Sequence, residues 1–229
     1  MFKNRTEAGK RLAARLLGYK SEQPLVLALP RGGVPVAYEV AAELDAPLDV
    51  IVVRKLGAPG QPELGIGAVV DGDHPQSVLN EDVMSLLHVS DAYLQREVAA
   101  ELQEIRRRQE RYRGGQPPAS IKGHTVIVVD DGIATGGSVR AALRGVRRAD
   151  PRHLVLAVPV APPETIAALQ SEADTIVCLS TPEFFHAVGQ FYANFTQTTD
   201  EEVIELLEAA RQRYEAGRAT SGARRIHEP

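Results

Sequence analysis

The sequence predicts an α/β protein with a mainly parallel central sheet flanked by helices, and three observations carry that prediction. Five short apolar runs rich in Val, Ile and Leu recur along the chain, at 25–29, 48–53, 125–129, 153–158 and 175–179. Runs of this kind read as strands covered on both faces. Most of them lead through a turn signal into a helical stretch, and alternating strand and helix implies right-handed crossovers and parallel pairing. Finally, 229 residues with 44% hydrophobic and 24% charged residues can bury a sizeable core.

In chain order, LVLAL (25–29) is the first strand, and PRGG turns it into a helix from Val34. LDVIVV (48–53) is the second strand, ending in VVRKLGAP. The Gly- and Pro-rich stretch 56–73 follows, in which GIGAVV (65–70) reads as a strand. Residues 81–113 depart from the strand–helix repeat and read as a helical insertion. Asn80 precedes acids at 81 and 82 as a cap, and a second start lies near Ser90. Leu94, Val98, Leu102, Ile105 and Tyr112 form its apolar stripe. Five arginines (106, 107, 108, 111 and 113) crowd its end, where the helix dipole favours cations, and they read as a solvated face. GGQPP (114–118) stops it. Strands at 125–129, 153–158 and 175–179 complete the sheet, with helical stretches from Ser138 and from Pro162 between them. A small aromatic hood at about 181–200 and an amphipathic helix from Asp200 to about Gly217 follow. The whole of 1–217 reads as one domain, and 218–229 as a flexible tail.

Charge and composition exclude several classes. Net charge is −4 and the isoelectric point about 5.9, so no global basic field invites nucleic acid. No apolar run approaches the roughly 20 residues that span a bilayer, and the N-terminal stretch is too polar for a signal peptide. A single cysteine, Cys178, cannot pair within the chain, which suits a reducing compartment; the expected location is the cytoplasm. The six histidines show no metal-ligand spacing, so no protein-held transition metal is implied.

The chemistry concentrates in TVIVVDDGIATGGSVRAALRGV (125–146). An apolar strand ends in two acids, Asp130 and Asp131, and a loop of small and hydroxyl residues then opens a helix. Gly136 and Gly137 let successive N–H groups turn into one concavity, and Thr135 and Ser138 add hydroxyl donors. With the helix N-terminus behind it, this loop is a phosphate cradle. The acids stand at the C-terminal end of a strand, where ligands of open α/β sheets bind. They would repel a second phosphate and accept hydrogen bonds from vicinal hydroxyls. Phosphate in the loop and hydroxyls on the acids together describe a ribose 5-phosphate.

VIVVDDGIATGGS resembles the phosphoribosyl pyrophosphate (PRPP) signature of the class I phosphoribosyltransferases. It is distinct from a Walker loop, since no GxxxxGK[ST] run is present, and from the dinucleotide fingerprint. The resemblance covers roughly 25–180 and is closest to a bacterial subgroup of predicted phosphoribosyltransferases, some of them fused to hydrolase domains. It implies the class I phosphoribosyltransferase fold and several roles. The ribose falls to Asp130 and Asp131, and the 5-phosphate to Ala134, Thr135, Gly136, Gly137 and Ser138. Arg31, Gly32 and Gly33 become the pyrophosphate loop, commonly built around a strained or cis non-proline peptide, with Lys55 pointing at the same group. Arg31 and Lys55 are thereby the expected catalytic cations. The stretch 56–73 stands where the family has a mobile catalytic loop.

The implied reaction displaces pyrophosphate from C1 of the ribose by a nitrogen nucleophile, with Mg²⁺ held mainly by PRPP oxygens and by no protein ligand directly. Family members acting on 6-oxopurines carry an aspartate where this chain has Ala134, which weighs against hypoxanthine and guanine as acceptors. Five of the eleven aromatic residues lie in 181–202, and Phe184, Phe185 and Tyr192 are the candidates for an acceptor pocket. His186 lies among them and reads as a packing residue. A non-catalytic sensor of PRPP or a nucleotide is the alternative reading; sensors of this fold usually add a DNA-binding domain or a basic face. A PRPP synthetase-like enzyme would need a nucleotide site not evident here. The resemblance allows a homodimer.

Overall fold

The structure, a computed structural model, describes residues 1–71 and 76–225. Its elements in order are α1 (Arg5–Leu16), a 3₁₀ turn (Leu17–Glu22), β1 (Leu25–Ala28), α2 (Gly33–Leu44), β2 (Leu48–Val50), β3 (Val53–Ala58), β4 (Gln61–Val70), β5 (Gln76–Leu79), α3 (Glu81–Leu86), α4 (Asp91–Arg113), β6 (Thr125–Val129), α5 (Gly137–Arg148), β7 (His153–Val160), α6 (Pro163–Leu169), β8 (Thr175–Ser180), a second 3₁₀ turn (Val188–Phe191) and α7 (Asp200–Arg225). Five strands form a parallel sheet in the order β2-β1-β6-β7-β8, and β3-β4-β5 form a separate antiparallel sheet.

Strand alternation divides the core into two layers. Val26, Ala28, Ile127 and Val129 face the side covered by α1, α2 and α7, while Leu25, Leu27, Val126 and Val128 face α5 and α6. All five residues of β6 are buried, as a continuous apolar run requires. Helix starts follow local capping chemistry: Asn4, Asn80 and Ser90 each accept a backbone N–H from three residues on. Gly114, left-handed at φ +58°, ends α4. No helix of the described residues is long and apolar enough to cross a membrane.

Two expectations need correction, and a third segment is filled in. The second apolar run is not one strand: β2 ends at Val50, and from Val53 the chain pairs antiparallel with β4 in the other sheet. A continuous apolar run carries no periodicity that could reveal such a change of partner. The stretch 56–71, in which a strand is expected at 65–70, is a paired hairpin closed by the two-residue turn Pro59-Gly60, with Gly60 at φ +71°; 72 and 73 lie outside the described residues. The last helix runs through to Arg225, so the expected tail from 218 is helical that far, and 226–229 lie outside the described residues. In addition, helix α1, which no strand–helix pattern announces, packs on α2 through Leu12, Ala13 and Leu16.

The arginines closing α4 are only partly a solvated face. Arg107 and Arg108 pair with Glu104, and Arg111 with Asp200 and Glu201. Arg113, by contrast, is 8% exposed; its Nε lies 2.8 Å from Asp49 Oδ1, and its Nη2 lies 2.8 Å from the Val50 carbonyl and 3.3 Å from Asp71 Oδ2. Gln109 donates to Asp71, and the Ala119 N–H donates to Asp49. The cluster ties the insertion to both sheets. Burial, partly offset by Arg113, pushes Asp71 up to about 6. A carboxyl raised in the folded state favours folding when protonated, so its contribution is complete below its unfolded value near 4 and is lost as pH rises through 6. Relative to Asp71→Asn, the parent should therefore gain about 1 kcal/mol between pH 7 and pH 5. Urea melts of the two proteins at both pH values test this, and a constant difference would refute it.

Candidate active site

Two loops meet at the C-terminal ends of β1 and β6. The first leaves β1 at Leu29, whose N–H bonds the Val129 carbonyl at 2.9 Å, and turns into α2 through a cis peptide between Pro30 and Arg31. That is the kind of peptide the resemblance implies at this loop. Gly32 and Gly33 are there for closeness. A Cβ at Gly32 would collide with Asp131 Oδ2, and one at Gly33 would stand 2.8 Å from the Val129 carbonyl and 3.0 Å from Asp130 Cα. Gly32 has ordinary helical φ and ψ, so space and not backbone freedom selects glycine.

The second loop runs from Asp131 to α5. Gly136, at φ +79°, provides the left-handed turn that starts the helix, and the Arg140 N–H returns to its carbonyl at 2.8 Å. The N–H groups at the start of α5 have no intrahelical acceptor. Ala134, Thr135, Gly137 and Ser138 are all exposed, so the turn is open to solvent on its outer side. Thr165, at the start of α6 and buried, donates 2.7 Å to the Ala134 carbonyl and braces the turn from behind. Sequence reasoning missed Thr165, because its role depends on a contact 31 residues away.

The acid pair between these loops is held in an unfavourable electrostatic setting. Burial and the neighbouring Asp131 push the Asp130 carboxyl well up, and burial raises Asp131 as well. Two adjacent carboxylates removed from water each disfavour the other's charge. Arg5, the first residue of α1, offsets this with its Nε 2.8 Å from Asp131 Oδ2, both side chains being nearly sealed from solvent. The Tyr192 hydroxyl donates to the Asp131 carbonyl at 2.5 Å, and burial raises its own pKa.

Beside the second loop opens a cleft of about 770 Å³ between the antiparallel sheet and α5. Lys55, Asn80, Thr135, Gly137, Ser138 and Arg140 line it. Arg54 points away from it to Glu101, 2.6 Å distant, as strand alternation requires.

Comparison with known proteins places this geometry. The model of the phosphoribosyl transferase domain matches residues 2–196. The chain belongs to the phosphoribosyltransferase family. A Mycobacterium tuberculosis protein, Rv0571c, provisionally named a phosphoribosyl transferase, is 46% identical over 224 residues, which are 97% of this chain and 50% of that protein. The chain thus spans about half the length of the curated relatives it matches. The crystal structure of TT1426 from Thermus thermophilus is 47% identical, with a TM-score of 0.79 over 90% of this chain and 97% of that one. The parallel five-stranded sheet with flanking helices and the small antiparallel sheet form the type I phosphoribosyltransferase fold.

Within this member of the family, Gly32 and Gly33 press on Asp131 and Asp130, and Ala134 to Ser138 continue from the acids along the chain. Arg31 is brought to the same loop but leans toward the start of α7, its Nη1 3.8 Å from Asp200 Oδ1. Lys55 lies on β3, not at the end of a parallel strand. It lines the same cleft as Thr135 and Ser138. It stands on the antiparallel sheet because the chain changes sheets after Val52. Of the aromatic candidates, Phe184 is exposed and Phe185 packs on Phe191 at 5.1 Å between ring centroids. Tyr192 is buried against Phe2 and Phe195, so its ring belongs to the packing of the hood and not to an open pocket. His186 is exposed.

No cluster of three or more His, Cys, Asp or Glu suited to a metal ion occurs among the described residues. The acid pair supplies hard oxygens only at Asp130 and Asp131, and Arg5 already engages one of them. A Mg²⁺ brought in on the oxygens of a substrate would ask no further ligand of these residues.

Proposed function

We propose that this phosphoribosyltransferase transfers the 5-phosphoribosyl group from PRPP to a small nitrogenous, nucleobase-like acceptor, releasing pyrophosphate. The observation that carries this reading is the contact of Gly32 and Gly33 with the Asp130–Asp131 pair, which fuses the β1 loop, the acids and the phosphate turn into one surface. On it the 5-phosphate takes the N–H groups and hydroxyls of Ala134 to Ser138. The ribose hydroxyls donate to Asp130 and Asp131, and the pyrophosphate lies along Arg31, Gly32 and Gly33. Phosphate, ribose and pyrophosphate follow one another in the same order along PRPP.

The reaction breaks the bond from C1 to the pyrophosphate oxygen and forms one from C1 to the acceptor nitrogen, whose proton passes to solvent water. Positive charge develops on the ribose and negative charge on the departing group. Arg31 and the backbone of the Gly32–Gly33 turn offset the latter, and the acid pair holds the ring in place. Lys55, which lines the same cleft, draws the donor's phosphate end toward the cradle. Mg²⁺, carried by PRPP oxygens, supplies further charge neutralisation when bound. Ala134 leaves the loop without a carboxylate for a purine N7 proton, so acceptors other than hypoxanthine and guanine are expected.

Calorimetry with PRPP and Mg²⁺ tests the donor site. Asp130→Asn/Asp131→Asn should weaken binding at least about tenfold, in keeping with two lost charge-assisted hydrogen bonds. Pyrophosphate release on a panel of bases then names the acceptor. A parent protein that does not bind PRPP would overturn the reading, and one that binds it without turnover on any base would mark a sensor.

A further inference from the structure

The hood is sewn to the N-terminal residues. Phe2 and Tyr192 form an isolated parallel bridge, with Phe2 N–H on the Phe191 carbonyl at 2.7 Å and Ala193 N–H on the Phe2 carbonyl at 2.8 Å. Asn194 N–H continues the seam to the Lys3 carbonyl. Phe2 is buried with Ala8, Val160 and Tyr192. This strap delivers Arg5 to the acid pair. Its guanidinium lies over the Phe195 ring, 3.9 Å from the centroid, its Nη1 donates 2.7 Å to the Thr196 carbonyl, and its Nε donates to Asp131.

Every part of that arrangement uses arginine's particular geometry. A planar guanidinium can stack on a ring while two of its N–H donors point to different acceptors, which an ammonium cannot do. Asn4 caps α1 through the Glu7 N–H, so the backbone at Arg5 is fixed independently of the side chain. Asp131 is consequently held at both ends by the strap and the hood: its carboxylate through Arg5 and its carbonyl through Tyr192. Gly32, which presses on the same carboxylate, offers no side chain to orient it.

We infer that Arg5 is a positioning residue, which holds the Asp131 carboxylate oriented toward the ribose hydroxyls of the donor and couples that acid to the hood through Phe195 and Thr196. The inference rests on the donor reading above, in which Asp130 and Asp131 receive the ribose. Arg5 touches neither the phosphate cradle nor the glycine turn in any contact described, so its effect should be confined to ligands with hydroxyls for the acids to hold.

The test compares ribose 5-phosphate with inorganic phosphate, each titrated calorimetrically into the parent, Arg5→Met, Arg5→Gln and Arg5→Lys. The expected result is a loss of at least about tenfold in ribose 5-phosphate affinity in the Met and Gln variants with phosphate affinity kept, and partial recovery in Arg5→Lys, which restores the charge without the stacked fork. Met and Gln variants that bind ribose 5-phosphate as the parent does, or more tightly, would overturn the inference and leave the donor reading intact. Equal losses for both ligands, or failure of both variants to fold, would make Arg5 a structural residue and overturn it too. A parent that binds neither ligand would instead sink the donor reading, and this inference with it.

Discussion

Arg113→Met should destabilise the protein by about 3–5 kcal/mol, the cost of removing one partner from a buried ion pair and leaving the other unpaired. Two carboxylates depend on this one guanidinium. Asp49 is 2.8 Å from its Nε, and Asp71, only 2% exposed, is 3.3 Å from its Nη2. Met fills much of the same volume, so the loss reports on charge and hydrogen bonding and not on a cavity. Arg107→Met is the control, because Arg107 pairs with Glu104 from a side chain that is 56% exposed and should cost less than about 1 kcal/mol. Urea unfolding of the three proteins at pH 7 decides the matter, and equal midpoints for the two variants would show that the cluster contributes nothing special.

Gly32→Ala is expected to lower donor affinity by at least about tenfold and to cost about 1–3 kcal/mol of stability, the usual range for overpacking. The new methyl would collide with Asp131 Oδ2 and stand 2.7 Å from its Cγ. That carboxylate cannot simply retreat, because Arg5 holds it in place. Gly137→Ala should separate the two effects. A Cβ there meets nothing within 4 Å and Gly137 lines the cleft, so the fold should be unaffected while phosphate binding weakens several-fold. Thermal melts with parallel PRPP titrations distinguish the two cases. A Gly32→Ala variant that binds PRPP normally would mean that the two loops are not pressed together in solution.

The site's local half is legible in the sequence, and its long-range half is not. Asp130, Asp131 and the turn to Ser138 follow one strand without a spacer, so their order along the chain already is their order in space. The Gly32–Gly33 turn is recognisable for the same reason, as a strand-to-helix connection. That Lys55 stands on the antiparallel sheet is not legible, because LDVIVV looks alike whether it stays in one sheet or changes sheets at Val52. Arg113 reads like its exposed neighbours because five arginines in one helical end give no hint which of them turns inward. Tyr192 stands out as an aromatic among aromatics, yet what fixes its role is the hydrogen bond to a residue 61 positions earlier. Arg5 and Thr165 give no signal, since neither belongs to a motif and each acts through a partner far away in the chain.

The seam between Phe2 and Tyr192 also sets a timetable. Arg5 is synthesised 191 residues before Thr196, the hood partner that receives its Nη1. Five parallel strands and much of both core layers can be in place during synthesis while the first residues still lack the segment they bind. The acid pair then spends that interval with its guanidinium not yet anchored to the hood, and the fully braced pair is among the last features the emerging chain acquires.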